Sequence, residues 1–211
     1  LAQNRSRTLI IILSTMIGVY ALGLVFGLSD HLIDHMAQNQ RLSSPSHIVF
    51  QGGIFSKGFV EAVGEQKYVT AVNGEKRLPI RWKFDGEEDW RQGLLIARDD
   101  YEEQVMNFIE LEEGSWPGKR KFAVERQTAN YYNVQMGGGI LIEYGRSERP
   151  VEVSGIVRMP TVYPPQFGGE AIFYTDGKTS AWLTGVTDYN ELHIQVEEFE
   201  DDIIDDVVSR V

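Results

Sequence analysis

Residues 4–32, NRSRTLIIILSTMIGVYALGLVFGLSDHL, decide how this chain must be read. From Thr8 to Leu28 the only ionisable side chain is that of Tyr20. With a rise of about 1.5 Å per residue, an α-helix over this run is roughly 30 Å long, the thickness of a bilayer's hydrocarbon core. A helix apolar on every side needs cover on every side, and a short chain has few neighbours to give one at its terminus. A cleaved secretory leader would share the basic lead-in, here Arg5 and Arg7. Its apolar part, however, runs about 7–15 residues and ends in small residues. This run passes straight into SDHLIDHM, so the sequence reads as an uncleaved membrane anchor.

Charge placement sets the expected orientation, because Lys and Arg are retained on the cytoplasmic side of a span. Arg5 and Arg7 precede the run, and Asp30 and Asp34 follow it. The expectation is a cytoplasmic N-terminus and an extracytoplasmic body at the inner or plasma membrane. The net charge of −11 divides accordingly, +1 over residues 1–41 and −12 over residues 42–211. So acidic a body argues against nucleic acid or an anionic lipid surface as its partner. Cysteine is absent, and a domain of this size can rest on a hydrophobic core without disulfide staples.

Inside the span, Gly23 and Gly27 form a GxxxG pattern, with Gly18 and Ala21 nearby. Small residues let a second helix approach closely in lipid, which makes Gly18, Gly23 and Gly27 the candidate helix-packing residues. Glycine is also simply frequent in membrane helices. Beyond the span, Leu28, Leu32 and Met36 recur on one helical face and suggest a short stalk, ended before Pro45. The predicted organisation is therefore 1–41 as lead-in, span and stalk, and 42–211 as one exported domain.

That domain reads as α+β. HIVFQ is a strand, GGIF a turn, and a helix starts after the cap Ser56, burying Phe59, Val60 and Val63. The strand KYVTAV follows. Turn dipeptides at Asn73–Gly74 and Asp85–Gly86 flank a strand with Ile80, Trp82 and Phe84 alternating, and Pro79 gives it an edge position. GLLIA is a strand, and DDYEEQVMNFIEL reads as a helix from Asp99 or Asp100 burying Val105, Met106 and Ile109. EEGSWPG is a loop, KFAVE a strand, RQTANYYN a short helix, GGG a turn, and ILIEYG a strand pairing with VEVSGIVRM. EAIFY and ELHIQV are strands. The closing acidic helix turns Ile203, Ile204, Val207, Val208 and Val211 inward.

No catalytic or cofactor-binding constellation emerges. His31 and His35 share a helix face but lack the Glu of an HExxH motif, so no metal site is expected there. His47 and His193 have no partner visible in the sequence. The acidic runs lack the spacing of a calcium loop, Gly137–Gly139 lacks the Lys and Ser/Thr of a P-loop, and no serine stands in a GxSxG context. The loop PTVYPPQFGG carries the partner-contact candidates Tyr163, Pro164, Pro165 and Phe167, which place stiff apolar surface on a connection. The alternative is that these aromatics tuck back onto the sheet.

The order of features carries a resemblance. RTLIIILSTMIGVYALGLVFGL, then GSWP and AVERQTANYYNVQMGGGILIEYG, then VEVSGIVRMP, and finally YNELHIQV before an acidic helix resemble one family over nearly the whole chain. That family is the MacB/FtsX-type ABC transporter permeases, in their first transmembrane helix and extracytoplasmic core domain. The resemblance implies a strand–helix–strand porter-like part from about Ser46–Val72 and Glu191–Val211, with a β-rich insertion over roughly Gly86–Tyr174. It further implies a permease dimer beside a cytoplasmic ABC ATPase, whose ATP-driven motion the domain relays while contacting substrate or an extracytoplasmic partner protein. ATP hydrolysis would reside in that separate subunit or domain, and this chain would not be an enzyme. Such permeases carry further membrane helices, so the reading is a segment of a longer permease. A single-span anchored binding or sensory module is the alternative.

Overall fold

The computed structural model of the chain describes residue 7, residues 9–27 and residues 43–211. The expected stalk, with His31 and His35, lies outside the described residues. Helix α1 (Leu9–Gly27) is long and apolar enough to cross a bilayer by length and composition. All of its described residues are exposed, so its apolar side chains need cover from lipid or protein. The hydroxyls of Ser14 and Thr15 are satisfied within the helix. Ser14 Oγ donates to the Ile10 and Ile11 carbonyls and Thr15 Oγ1 to the Ile11 carbonyl, at 2.9–3.0 Å, as an apolar environment demands.

Residues Ser43–Val211 form a separate unit. Strand β1 (Ile48–Phe55) leads into α2 (Lys57–Gly64), which is capped as expected by Ser56 Oγ accepting from Phe59 N. Strand β2 (Val69–Phe84) follows, and its two halves serve different layers. Val69–Glu75 pairs with β9 (Tyr189–Val196), which also pairs with β1, giving a three-stranded layer. Leu192, Ile194 and Val196 alternate onto one face of it and pack with Val63 of α2 and Val207 of α5 (Asp201–Arg210). Ile203, Ile204 and Val211 join this core, while Val208 is exposed rather than inward.

The second half of β2, from Lys76, belongs to a barrel. It pairs with β3 (Arg91–Arg98), β3 with β8 (Ala171–Asp176), β8 with β5 (Lys121–Glu125), β5 with β7 (Ser147–Arg158), β7 with β6 (Gly139–Tyr144), and β6 again with β2. The ring closes. Alternate residues point inward, so Leu78, Ile80 and Trp82 of β2 meet Phe122, Val124, Ile140, Ile142, Val151, Val153 and Phe173. Helix α3 (Arg126–Tyr132) and α4 (Gly177–Thr184) add Ala129 and Leu183 to that interior. Strand β4 (Glu110–Gly114) pairs with the outer end of β7. The result is the α+β architecture expected, with a strand–helix–strand layer and a β-rich remainder.

Several local expectations give way. The segment Asn73–Gly74 is not a turn but lies inside β2, where Asn73 faces His193 and Gly74 faces Leu192. Glycine is needed there for a packing reason: a Cβ on Gly74 would sit 2.6 Å from the Tyr189 ring. The changeover to the barrel thus comes at Glu75–Lys76, ahead of the Gly86 boundary. Pro79 lies within β2, but over Lys76–Ile80 that strand pairs with β3 alone among the described residues, so the edge position expected for it holds locally. Residues 99–109 form bends and irregular backbone instead of a helix. Side chains there satisfy the backbone in place of helical bonds: Asp100 Oδ1 accepts from the N–H groups of Glu102 and Glu103, and the Gln104 amide bonds both N–H and C=O of Ile109. Val105 stays exposed while Tyr101, Met106 and Ile109 are buried. Gly52–Phe55 continues β1, and α4 appears where no element was anticipated.

Candidate functional site

The face of the three-stranded layer away from α2 and α5 carries charge. Glu75 on β2 and Glu191 on β9 are direct cross-strand partners, and His193 lies two residues on, so all three share this face. Two like charges opposite each other are unfavourable unless cations intervene. Here they do. Arg98, at the end of β3, brings Nη2 to 2.5 Å from Glu75 Oε1, and Arg77 Nη1 lies 3.4 Å from Glu191 Oε2. The His193 ring stands between the carboxylates, with Nε2 3.4 Å from Glu75 Oε2 and 3.1 Å from Glu191 Oε2. Glu75, Arg98, Glu191 and His193 are all buried.

The other end of the imidazole faces the segment that leads into β1. Its Nδ1 is 3.2 Å from Ser46 Oγ and 3.2 Å from the Asn107 amide. Ser46 N donates to Asn107 Oδ1, Asn107 N and Phe108 N donate to the Ser44 and Ser43 carbonyls, and Gln195 Nε2 donates to the Ser44 and Pro45 carbonyls. Arg98 Nη1 completes the connection by donating to the Asn107 carbonyl at 3.0 Å. Residues 43–47 are thereby stitched to both layers of the domain at one buried polar centre.

Electrostatics follow from this packing. Burial alone would lower the His193 pKa, but hydrogen bonds to Glu191 and Glu75 and their charges outweigh it and raise it to about 9. Burial pushes Glu75 upward, and Arg98, the His193 hydrogen bond and Arg77 more than reverse that, bringing it down to about 2. A raised histidine contributes stability that is complete below its unfolded value, about 6.5, and is lost as pH climbs through about 9. A depressed carboxylate contributes above its unfolded value of 4.5 and loses its share as pH falls towards about 2. We therefore expect urea unfolding to show the network's full contribution between these unfolded values and a decline towards pH 10. His193→Gln should flatten the alkaline decline; an unaltered slope in that variant would rule out His193 as its source.

Glu75, Glu191 and His193 also lie close enough together for each to offer a ligand atom to one cation. Arg98 and Arg77 already neutralise both carboxylates, so the donor set is that of an ion network more than of a metal centre.

A cavity of about 460 Å³ opens beside this network, lined on one side by Ser46, Arg77, Arg98 and His193 and on the other by Met159, Val162 and Tyr163. The second wall belongs to the sequence-predicted loop. Tyr163 and Phe167 are 64% and 68% exposed, whereas Pro165 is buried and anchors the 3₁₀ turn Pro165–Phe167. Pro164 is half-buried, and its carbonyl accepts from Phe167 N and Gly169 N. Gly169 must be glycine, since a Cβ would meet the Tyr163 carbonyl oxygen at 1.9 Å. The two aromatics thus face outward, while the prolines fix the loop. Gly18, Gly23 and Gly27 lie on α1, with nothing among the described residues within 4 Å of where a Cβ would stand. At about 100° per residue, Gly23 and Gly27 share a face and Gly18 lies roughly 140° around from Gly23.

The charged network was not anticipated from the sequence. Its signal was present in NELHIQV, whose Glu191, His193 and Gln195 alternate with the apolar core residues. Such alternation ordinarily marks a solvated face.

No protein-family model and no curated protein matches the chain. Solved structures do. The extracellular domain of the noncanonic ABC-type transporter YknZ from Gram-positive bacteria aligns with a TM-score of 0.54 at 14% identity, covering 75% of this chain and 86% of that one. The periplasmic region of MacB from Actinobacillus actinomycetemcomitans aligns with a TM-score of 0.54 at 10% identity, covering 77% and 79%. About three quarters of this chain therefore has the fold of extracytoplasmic domains of ABC-type transporters.

Proposed function

We propose that the chain is a permease-subunit segment of an ABC transporter of the MacB/FtsX type, anchored by α1 and exporting residues 42–211. The observation that carries the reading is the shared fold in a chain that also bears a span-length apolar helix ahead of it. In this reading the N-terminus is cytoplasmic, a separate ABC ATPase hydrolyses ATP, two permease copies assemble, and motion of the span is passed into the domain. The stitching of residues 43–47 to Asn107, His193 and Gln195 supports that last step, because a pull on this segment loads both layers together. Tyr163 and Phe167, held outward by Pro164 and Pro165, supply the contact to substrate or an extracytoplasmic partner protein.

Two measurements test this. Protease added to spheroplasts should digest residues 42–211 and leave the N-terminus protected; a body protected from external protease would overturn the orientation and with it the reading. Replacing Gly23 and Gly27 together by Ile meets no described residue of the chain, since a Cβ has nothing among them within 4 Å at either position. It blocks close approach by another helix. We expect assembly with the partner permease or ATPase to weaken by about tenfold or more, equivalent to about 1.4 kcal/mol, read by co-purification. Unchanged assembly and unchanged transport would exclude this face as the packing surface.

A further inference from the structure

The cavity beside the ion network is lined by both charged and apolar side chains. Among Glu75, Glu191, Arg77 and Arg98 the charges cancel, His193 between the carboxylates, with its pKa raised, adds a positive charge, and the exposed Glu170 also lines the cavity. Arg77 is also underused. Of the five N–H donors a guanidinium carries, only Nη1 has a partner among the described residues, the 3.4 Å approach to Glu191, and Nε is buried with none. The apolar part of the lining is Leu94, Met159, Val162 and Ile172, beside Thr161 and Glu170. A volume of about 460 Å³ lies within the range of small-molecule pockets.

We propose that this cavity binds an organic monoanion, a carboxylate on a short apolar chain, with Arg77 presenting its free N–H groups to the carboxylate and the chain lying along Leu94, Met159 and Ile172. A guanidinium fork matches a carboxylate in plane and spacing. Glu75 and Glu170 also line the cavity, so a second negative charge on the ligand would be repelled. The same end group is found on a free carboxylic acid and at the C-terminus of a peptide, and the cavity's chemistry accepts either. The inference stands on the cavity alone and does not depend on the transporter reading.

The test is calorimetric titration of the full chain in detergent micelles, with heats from empty micelles subtracted. Probes are hexanoate and N-acetyl-Val-Leu, each beside its neutral counterpart, hexanol and the dipeptide amide. At least one acid should saturate with Kd below about 1 mM, and its neutral counterpart should bind about tenfold more weakly or worse. Preference for hexanoate identifies a free acid as the source, and preference for the dipeptide a peptide terminus. Arg77→Gln, at a half-buried position, should weaken binding about tenfold. Val162→Trp, on the loop wall, should abolish binding by filling the space. Equal binding of acid and neutral counterpart, an unchanged affinity in Arg77→Gln, or no saturable heat from either acid up to about 10 mM would each overturn the proposal.

Discussion

Arg98→Met is expected to destabilise the domain by about 3–5 kcal/mol, a large part of the stability of any single domain. The guanidinium is buried, and it holds Glu75 through Nη2 while Nη1 donates to the Asn107 carbonyl. Removing it strands a buried carboxylate opposite Glu191, with His193 as the only remaining buried cation on Glu75 among the described residues. The Asn107 carbonyl loses a charged donor as well. Methionine fills most of the volume, so the cost is electrostatic more than one of cavity formation. A second variant separates the two: Arg98→Met combined with Glu75→Gln removes the stranded charge and should recover at least about half of the loss. Urea denaturation of both variants at pH 6 checks this. A loss below about 1 kcal/mol in the single variant, or no recovery in the double, would show that the pair contributes little and that the seam is held by packing.

The same residues show how far the sequence could be read. The apolar first helix, the capped helix after Ser56, KFAVE, RQTANYYN and the closing acidic helix were all legible, because each has a local signature: an apolar run, an N-cap, or a stripe at one period. What escaped was non-local. Asn73–Gly74 has the composition of a hairpin turn, and only the ring of Tyr189, more than a hundred residues away in sequence, explains a glycine inside a continuous strand. Residues 99–109 have helix-like apolar spacing, but Asp100 and Gln104 claim the backbone groups that a helix would have used. The segment was legible as a loop, with the direction of Tyr163 and Phe167 left open, and the cavity behind it depends on β2, β3 and β9 converging. Glu75, Arg98 and His193 come from three strands, each charge resembling an ordinary solvated side chain in its own segment. No spacing rule links them; only the register does.

Trp82→Ala should cost about 3–5 kcal/mol, whereas Trp82→Phe should cost less than about 1.5 kcal/mol. Trp82 is fully buried at the barrel's centre, edge-on to Phe84, Tyr132 and Phe173 at centroid separations of 5.0–5.5 Å. Its Nε1–H has no acceptor among the described residues, so phenylalanine forfeits volume but no hydrogen bond, and it relieves an unpaired donor. The informative quantity is where the alanine variant loses its stability. Trp82 and Glu75 lie on the same strand, one in the barrel and the other in the three-stranded layer. If β2 makes the two layers one cooperative unit, Trp82→Ala lowers a single transition, and probes in both layers, tryptophan fluorescence and the His193 ring resonance, shift together. If the layers melt apart, the barrel moves and His193 does not. That second outcome would remove the physical basis for passing motion from residues 43–47 through the whole domain, because a load applied to the network at His193 would then stop at the seam.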